Sequence, residues 1–400
     1  LKSDDRGKGV IHMPRKDITS GNWAVAEAMR QVNPDVVAAY PITPSTDIPM
    51  KFSEFVADGL VDTNLVTVES EHSAISACLA ASISGARVMT ASSANGVALM
   101  HEIFPIAASY RAPIVFALVN RSLGAPINIH CDHSDSMAER DSSWIQLYCE
   151  DAQEVYDSMI MGVRLAEHKD VLLPVFVCQD GFITSHCFEP VEFLDDEQVK
   201  DFIGEREPIN SLLDIKNPVA YGSLALTDYY FEIKRQQIEA MKQVRRVYDE
   251  VSREFASITG RQYPVIETYK TDDADHIMVI MSSATGAAKE TVDALREKGH
   301  KVGCLRIRMF RPFPAAEIAD ALKKARNIAV CDRAAGYGAP APLFTEIKGA
   351  LYDAGIHVPA NSYVYGLGGR DFFPHNAEEA FMDLIENRVS TEEKYLGLRE

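Results

Sequence analysis

The sequence predicts an α/β fold of the doubly wound, parallel-sheet type, followed by a second and smaller α/β unit. Three observations carry that expectation. From residue 19 to about 183, short apolar runs alternate with longer amphipathic stretches. A polar stretch with helical period follows, and from residue 276 the alternation of apolar runs and amphipathic stretches resumes. Strands that alternate with helices pair in parallel, because each helical crossover brings the chain back in the same direction.

The first unit reads in order as a helix from Asn22, a strand ending at Tyr40, a strand ending at Val68, and a helix opening at Glu71. A strand over 86–90, a helix from Val97, a strand over 113–119 and a polar loop come next, then a helix over 152–168 and a strand over 172–178. Residues 189–226 are rich in proline and acid and read as an irregular arm. Ile233, Ile238, Met241, Val247, Val251 and Phe255 fall near a helical period and predict a connecting helix. The second unit reads as a strand over 276–281, a turn over 282–286, a helix over 287–298, and strands over 301–309, 327–331 and 362–365. The division expected is 1–225 with its arm, a helical linker over 226–270, and a second domain over 271–400.

Four hundred residues are enough for two or three domains with full cores. A formal net charge of −18 and the lack of any long basic run argue against nucleic acid or an anionic membrane as partner. No apolar stretch approaches about eighteen residues, which argues against membrane insertion. Leu1-Lys2-Ser3-Asp4-Asp5-Arg6 lacks the apolar core of a signal peptide, so a cytoplasmic chain is expected. Seven cysteines are scattered without a C-x-x-C pair, the pattern of reduced, buried small hydrophobes and not of a disulfide frame, zinc site or cluster.

The chemistry concentrates at two junctions. Val36-Val37-Ala38-Ala39-Tyr40 is a buried-strand run that Pro41 and Pro44 forbid to continue, so the chain turns there. Thr43 and Ser45 thereby place hydroxyls at a strand's carboxyl end, where open α/β sheets bind ligands. Glu71 opens a helix after the strand Leu65-Val66-Thr67-Val68. Two readings of Glu71 are open: a favourable neighbour of the helix dipole, worth about 0.3–1 kcal/mol, or a carboxylate aimed at a cofactor.

The ordered set Tyr40-Pro41-Ile42-Thr43-Pro44-Ser45, Glu69-Ser70-Glu71-His72-Ser73-Ala74, Asn120-Arg121, Ala125-Pro126-Ile127-Asn128-Ile129, Asp132-His133-Ser134-Asp135-Ser136-Met137, Arg140-Asp141 and Trp144-Ile145-Gln146 resembles the α subunit of pyruvate:ferredoxin and related 2-oxoacid:acceptor oxidoreductases. The likeness continues through Gly181-Phe182-Ile183, Tyr269-Lys270-Thr271, Arg311-Pro312-Phe313-Pro314 and Gly366-Leu367-Gly368-Gly369-Arg370-Asp371, over nearly the whole chain.

The resemblance implies a thiamine diphosphate enzyme that cleaves a 2-oxo acid with coenzyme A to CO2, an acyl-CoA and two electrons. The first unit would be the pyrimidine-binding domain and the second would resemble the transketolase C-terminal domain, with mainly architectural roles. Glu71 matches the cofactor-activating glutamate, whose carboxylate would hydrogen-bond the aminopyrimidine ring, with Tyr40, Pro41 and Ile42 beside the cofactor. Thr43 and Arg121 match residues around the substrate, and Asn95, His130 and Asp132 are further candidates for that pocket. A guanidinium fork suits a 2-oxo acid carboxylate; the alternative for Arg121 is a structural pair with Asp132 or Glu102.

Gln179-Asp180-Gly181 lacks the first glycine of the usual Gly-Asp-Gly diphosphate signature. The resemblance therefore implies that a β-type partner subunit holds the diphosphate and Mg2+. It also implies a γ-type subunit and a ferredoxin-like cluster subunit, with iron–sulfur clusters only in those other chains. Ferredoxin, or NAD reached through a flavin subunit, would accept the electrons. His130-Cys131-Asp132-His133 invites a metal reading, but four consecutive residues rarely converge on one ion, and no metal site is assigned. Gly336-Tyr337-Gly338-Ala339-Pro340 and Gly366-Leu367-Gly368-Gly369 lack the order of a dinucleotide loop and read as tight turns packing subunits.

Pyruvate is the family's usual substrate. Close relatives carry Ser-Gln-Gly-Leu where this chain has Ala94-Asn95-Gly96-Val97, and often Trp-Asn where it has His130-Cys131. Lost wall volume must be refilled by ligand or by neighbours, so a bulkier aromatic acid such as phenylglyoxylate is the alternative substrate. A non-catalytic scaffold subunit is the alternative of a different class.

Overall fold

The computed structural model describes residues 15–399. The N-terminal segment behind the signal-peptide argument lies outside the described residues. In chain order the first part comprises β1 (Arg15–Ser20), α1 (Gly21–Val32), β2 (Val36–Ala39), α2 (Asp47–Ala57), β3 (Asn64–Thr67), α3 (Glu71–Ile83), β4 (Val88–Ser92), α4 (Ala94–Met100) and α5 (Ile103–Ser109). It continues with β5 (Ile114–Asn120), α6 (Ser134–Ala138), β6 (Ile145–Tyr148), α7 (Ala152–Glu167), β7 (Val175–Asp180), β8 (Phe188–Phe193), α8 (Asp196–Ile203) and the long helix α9 (Tyr230–Thr259). The remainder is β9 (Ile266–Tyr269), β10 (His276–Met281), α10 (Thr285–Glu297), β11 (Val302–Ile307), β12 (Met309–Arg311), α11 (Ala315–Leu322), β13 (Asn327–Asp332), α12 (Pro342–Asp353), β14 (Ala360–Tyr365), α13 (Pro374–Ile385) and β15 (Lys394–Leu396).

The expected doubly wound architecture is present as a seven-stranded sheet in the order β12-β6-β7-β5-β4-β2-β3, parallel except where β12 runs antiparallel to β6. A six-stranded sheet in the order β15-β14-β13-β10-β11-β9 follows, parallel except at β9. Central strands are continuous apolar runs because helices cover both faces; every residue of β5 is buried. Trp144 anchors the first core: it stacks on Phe176 at 4.2 Å, meets Phe104 edge-on at 4.9 Å, and donates its indole N–H to the Phe104 carbonyl at 2.9 Å.

Several expectations change. The supposed arm over 189–226 begins as structure: β8 pairs antiparallel with β1, Arg15 opposite Phe193 through Ser20 opposite Phe188. Its alternation buries Val191 and Phe193, and α8 follows from a capping box in which Asp195 and Gln198 bond each other's backbone N–H. Only the stretch after α8 lacks helix and strand. Within α9 the buried face is Ala240, Val244, Val247, Tyr248, Val251 and Phe255, while Ile233 and Ile238 are exposed. The run over 301–309 is not one strand. It splits at Arg308, and β12 leaves the second sheet to become the edge of the first, next to β6, a strand hidden in the polar loop of the sequence reading.

A buried ion cluster lies beside the split. Arg306 and Arg308, both almost fully buried, converge on Glu154 at the start of α7, with Arg306 Nη2 at 2.5 Å from its carboxylate. Burial alone would raise the Glu154 carboxyl, but the two guanidinium groups outweigh it and hold it down at about 2. Of the cysteines, six are buried and Cys187 is exposed. Among the described residues no helix is long and apolar enough to cross a membrane.

Candidate active site

The β2 run ends at Ala39, and the following turn is closed by Ser45, whose N–H and hydroxyl both donate to the Ile42 carbonyl at 2.9 and 2.8 Å. Ser45 is therefore consumed by the turn, whereas the exposed Thr43 keeps its hydroxyl free of partners among the described residues. Asn22 supports the turn from α1, donating to the Pro44 carbonyl at 2.7 Å, and accepts in its turn from Gln179 at 3.1 Å. Tyr40 and Ile42 are half-buried beside Thr43, and Pro41 is exposed.

Glu71 is the first residue of α3, which Ser70 caps by accepting from the Ser73 N–H at 3.2 Å. Its side chain is nearly buried at 8% exposure, yet it has no hydrogen bond or ion pair among the described residues. It lies against α4: a Cβ on Gly96 would come within 2.7 Å of Glu71 Oε1 and 2.6 Å of Ser92 Oγ. The hydroxyls of Ser92 and Ser93 are buried without partners among the described residues.

Arg121 follows β5 at the carboxyl end of the same sheet. It makes neither of the pairs considered from sequence, since Glu102 is engaged by His72 at 3.0 Å and Asp132 by other donors. Its Nη1 donates to the Thr43 carbonyl at 2.8 Å and its Nε to the Asn128 carbonyl at 2.9 Å. Arg121 is 6% exposed and has no carboxylate partner among the described residues.

Asp135 joins these pieces and was not singled out by sequence reasoning beyond its place in a motif. One carboxylate oxygen accepts the Ala94 N–H at 3.0 Å and the Arg121 N–H at 2.9 Å; the other accepts Asn120 Nδ2 and the Ser136 N–H. Burial pushes its carboxyl up to about 6, although the Arg121 N–H and Asn120 oppose that shift. Asp135 accepts the N–H of Ala94, whose φ is 45°, and α4 begins there, three residues ahead of the sequence expectation.

The remaining candidates separate. Asn95 is exposed on the first turn of α4. His130 is exposed and its ring lies 4.7 Å from Phe182, which in turn meets His186 at 4.6 Å. Asp132 must be corrected: its carboxylate accepts from Ser122, Ser134 and the Gly368 N–H, so it ties a loop together and has no free face for substrate.

Cys131, His133 and Asp180 do bring ligand atoms within 4.8 Å of one another. A cation already stands there. Arg333 Nη1 lies 2.9 Å from Asp180 and 3.7 Å from Cys131 Sγ, while His133 and Ser283 engage the same carboxylate. Burial alone would raise the Asp180 carboxyl, but Arg333 and His133 hold it far below the usual range. The cluster thus reads as a bridge between β7 and β13, and Asp180 has no oxygen left over for a metal. The Gly366-to-Gly369 turn packs on residues 128–132 of its own chain, with the Gly369 N–H donating to the Cys131 carbonyl at 2.6 Å.

Residues 27–253 match the family described as pyruvate flavodoxin/ferredoxin oxidoreductase, thiamine diphosphate-binding, and residues 274–377 match pyruvate:ferredoxin oxidoreductase core domain II. The pyruvate synthase subunit PorA of Thermotoga maritima is 57% identical over 95% of this chain and 97% of its own length. PorA of Pyrococcus furiosus is 44% identical over 97% of this chain and 99% of its own. The ketoisovalerate oxidoreductase subunit VorA of Pyrococcus abyssi is 44% identical over 91% and 92%. In fold, the chain is similar to a 2-oxoglutarate:ferredoxin oxidoreductase from Magnetococcus marinus, with a TM-score of 0.71 at 19% identity, covering 94% of this chain and 65% of that one. These matches across both sheets, on a site built from an unpaired glutamate and an unpaired arginine, place the chain in the pyruvate flavodoxin/ferredoxin oxidoreductase family as an α-type subunit with a thiamine diphosphate-binding domain.

Proposed function

We propose that this chain supplies the pyrimidine-side wall of the thiamine diphosphate site in a pyruvate-cleaving, CoA-acylating complex. The observation that carries the reading is a pair of charges without charge partners among the described residues: Glu71 nearly buried against Gly96, and Arg121 held by two backbone carbonyls. The chain's residues fit the pyrimidine half of the cofactor, because Glu71 offers a carboxylate acceptor at a helix start beside the partnerless hydroxyls of Ser92 and Ser93. When bound, the cofactor supplies the carbon–carbon cleavage chemistry.

In this reading Glu71 accepts a hydrogen bond from the aminopyrimidine ring, and the Tyr40-Pro41-Ile42 turn lies alongside it. Arg121 binds the 2-oxo acid carboxylate through its remaining Nη2 edge, Thr43 offers its hydroxyl to the same substrate, and Asn95 and His130 stand at the rim. Asp180 is engaged by Arg333, His133 and Ser283, which supports assigning Mg2+ and the diphosphate to a β-type partner chain. A γ-type subunit and a cluster-bearing subunit complete the complex, with iron–sulfur clusters outside this chain and ferredoxin, or NAD through a flavin subunit, as acceptor. Relatives named for pyruvate and ketoisovalerate support a small aliphatic 2-oxo acid, and neither the aromatic nor the scaffold alternative is favoured.

Replacing Glu71→Gln in the assembled complex should abolish pyruvate-dependent reduction of the acceptor while leaving assembly intact. Wild-type turnover in that variant refutes the reading.

A further inference from the structure

The second sheet reaches into the substrate loop at three points. The turn after β14 carries Gly368 and Gly369 at φ 64° and 80°, a left-handed backbone that glycine adopts without strain. Gly368 accepts from Asn128 Nδ2 at 2.9 Å through its carbonyl and donates its N–H to Asp132 at 3.2 Å, while Gly369 donates to the Cys131 carbonyl at 2.6 Å. No side chain is tolerated there: a Cβ on Gly369 would lie 2.3 Å from His130 Cβ, and one on Gly368 2.5 Å from Asn128 Nδ2. The turn is itself anchored, because Gly366 sits against the Arg333 guanidinium that is bonded to Asp180.

Asn128 is the link between that turn and Arg121. Residues 124–127 are exposed and no sheet holds them. Asn128 is nevertheless fixed at both ends of its amide, Nδ2 to Gly368 and Oδ1 to the His130 N–H at 2.7 Å, and its main-chain carbonyl receives Arg121 Nε. An arginine side chain carries about 2 kcal/mol of rotamer entropy. Two carbonyl anchors remove most of that freedom and leave Nη2 without a partner among the described residues. The Thr43 anchor belongs to the first unit; the Asn128 anchor is set by the second.

We propose that Asn128 is a positioning residue for Arg121, through which the Gly368 turn of the second unit aims the substrate-binding fork. This rests on the reading of Arg121 as the group that binds the 2-oxo acid carboxylate. The second unit, expected from sequence to be architectural, thereby contributes to substrate affinity. A displaced fork weakens substrate binding without touching Glu71, so KM and cofactor affinity part company.

The test uses the assembled complex with pyruvate as probe. Asn128→Ala should raise KM about tenfold or more with kcat changed by less than about threefold, and with thiamine diphosphate affinity and thermal midpoint unchanged. In an Arg121→Gln background the same replacement should add nothing further to the loss in kcat/KM. An unchanged KM, or an equal and additive effect in the Arg121→Gln background, overturns the proposal. Should Asn128→Ala fail to assemble, Asn128→Leu keeps the side-chain shape, removes the amide bonds to Gly368 and His130 without adding charge, and the same outcomes decide. If Arg121→Gln alone leaves KM unchanged, the reading of Arg121 itself has failed, which is a distinct result.

Discussion

Gly96 and Glu71 touch so closely that there is no room for a methyl group between α4 and α3: a Cβ on Gly96 would stand 2.8 Å from Glu71 Cγ and 2.7 Å from Oε1. The one nearly buried, unpartnered carboxylate at the start of α3 is therefore directed by the smallest residue of its neighbour.

Gly96→Ala should displace the Glu71 carboxylate while leaving both helices folded, because overpacking at one contact costs about 1–3 kcal/mol. The expected result is a loss of about tenfold or more in thiamine diphosphate affinity of the assembled complex, read by cofactor titration of activity. Retention of wild-type affinity would show that the contact does not direct Glu71.

Asp135→Ala removes the acceptor of four buried donors, three backbone N–H groups and the Asn120 side-chain amide. Unsatisfied buried donors cost about 1–3 kcal/mol each, so denaturant unfolding should show a large loss of stability. Asp135→Asn keeps part of the acceptor set and should recover part of it. Equal stability of wild type and the alanine variant would contradict the network.

Arg333→Met strands Asp180 in a fully buried site with only His133 as a charge partner. Breaking a buried pair by removing one member costs about 3–5 kcal/mol. Coupling it with Asp180→Asn should restore much of the stability, and a double-mutant cycle on thermal midpoints measures that coupling. Additive losses would mean that the two groups do not interact.

Two buried carboxyls give opposite pH dependences. Glu154 is held at about 2 against an ordinary 4.5, so its contribution is complete above about 4.5 and is lost as pH falls toward 2. Asp332, fully buried beside the start of α12, is pushed up to about 7 by burial, opposed by the Leu343 N–H. Its folded form retains a proton that the unfolded chain releases near 3.8, so stability declines as pH rises from about 4 to 7. Asp332→Asn, which keeps an acceptor for Leu343, should remove that decline in a series of midpoints from pH 5 to 8. A variant that tracks wild type across that range would rule it out.

Much of the architecture could be read from residue order. The alternation over 19–183 and again from 276 marks nearly every central strand, because a strand covered on both faces must be apolar throughout. Three other strands could not be read so. β6 contains a buried glutamine, β8 contains a proline, and β12 is three residues long, so none has enough apolar pattern to stand out from a loop.

The sequence by itself determined the two parallel sheets, the strand-end turn bearing Thr43, and Glu71 at the start of a helix. These depend on local apolar period, on proline's missing donor, and on helix-start chemistry, all of which act over a few residues. Only the tertiary structure decided what each polar group had left to offer. Asp132 and Asp180 are exhausted by partners up to 236 residues away, whereas Glu71 and Arg121 meet no opposite charge among the described residues. Hydrogen-bond capacity is a property of who arrives in space, and no spacing along the chain announces that Gly368 meets Asn128 or that one oxygen of Asp135 serves both Ala94 and Arg121.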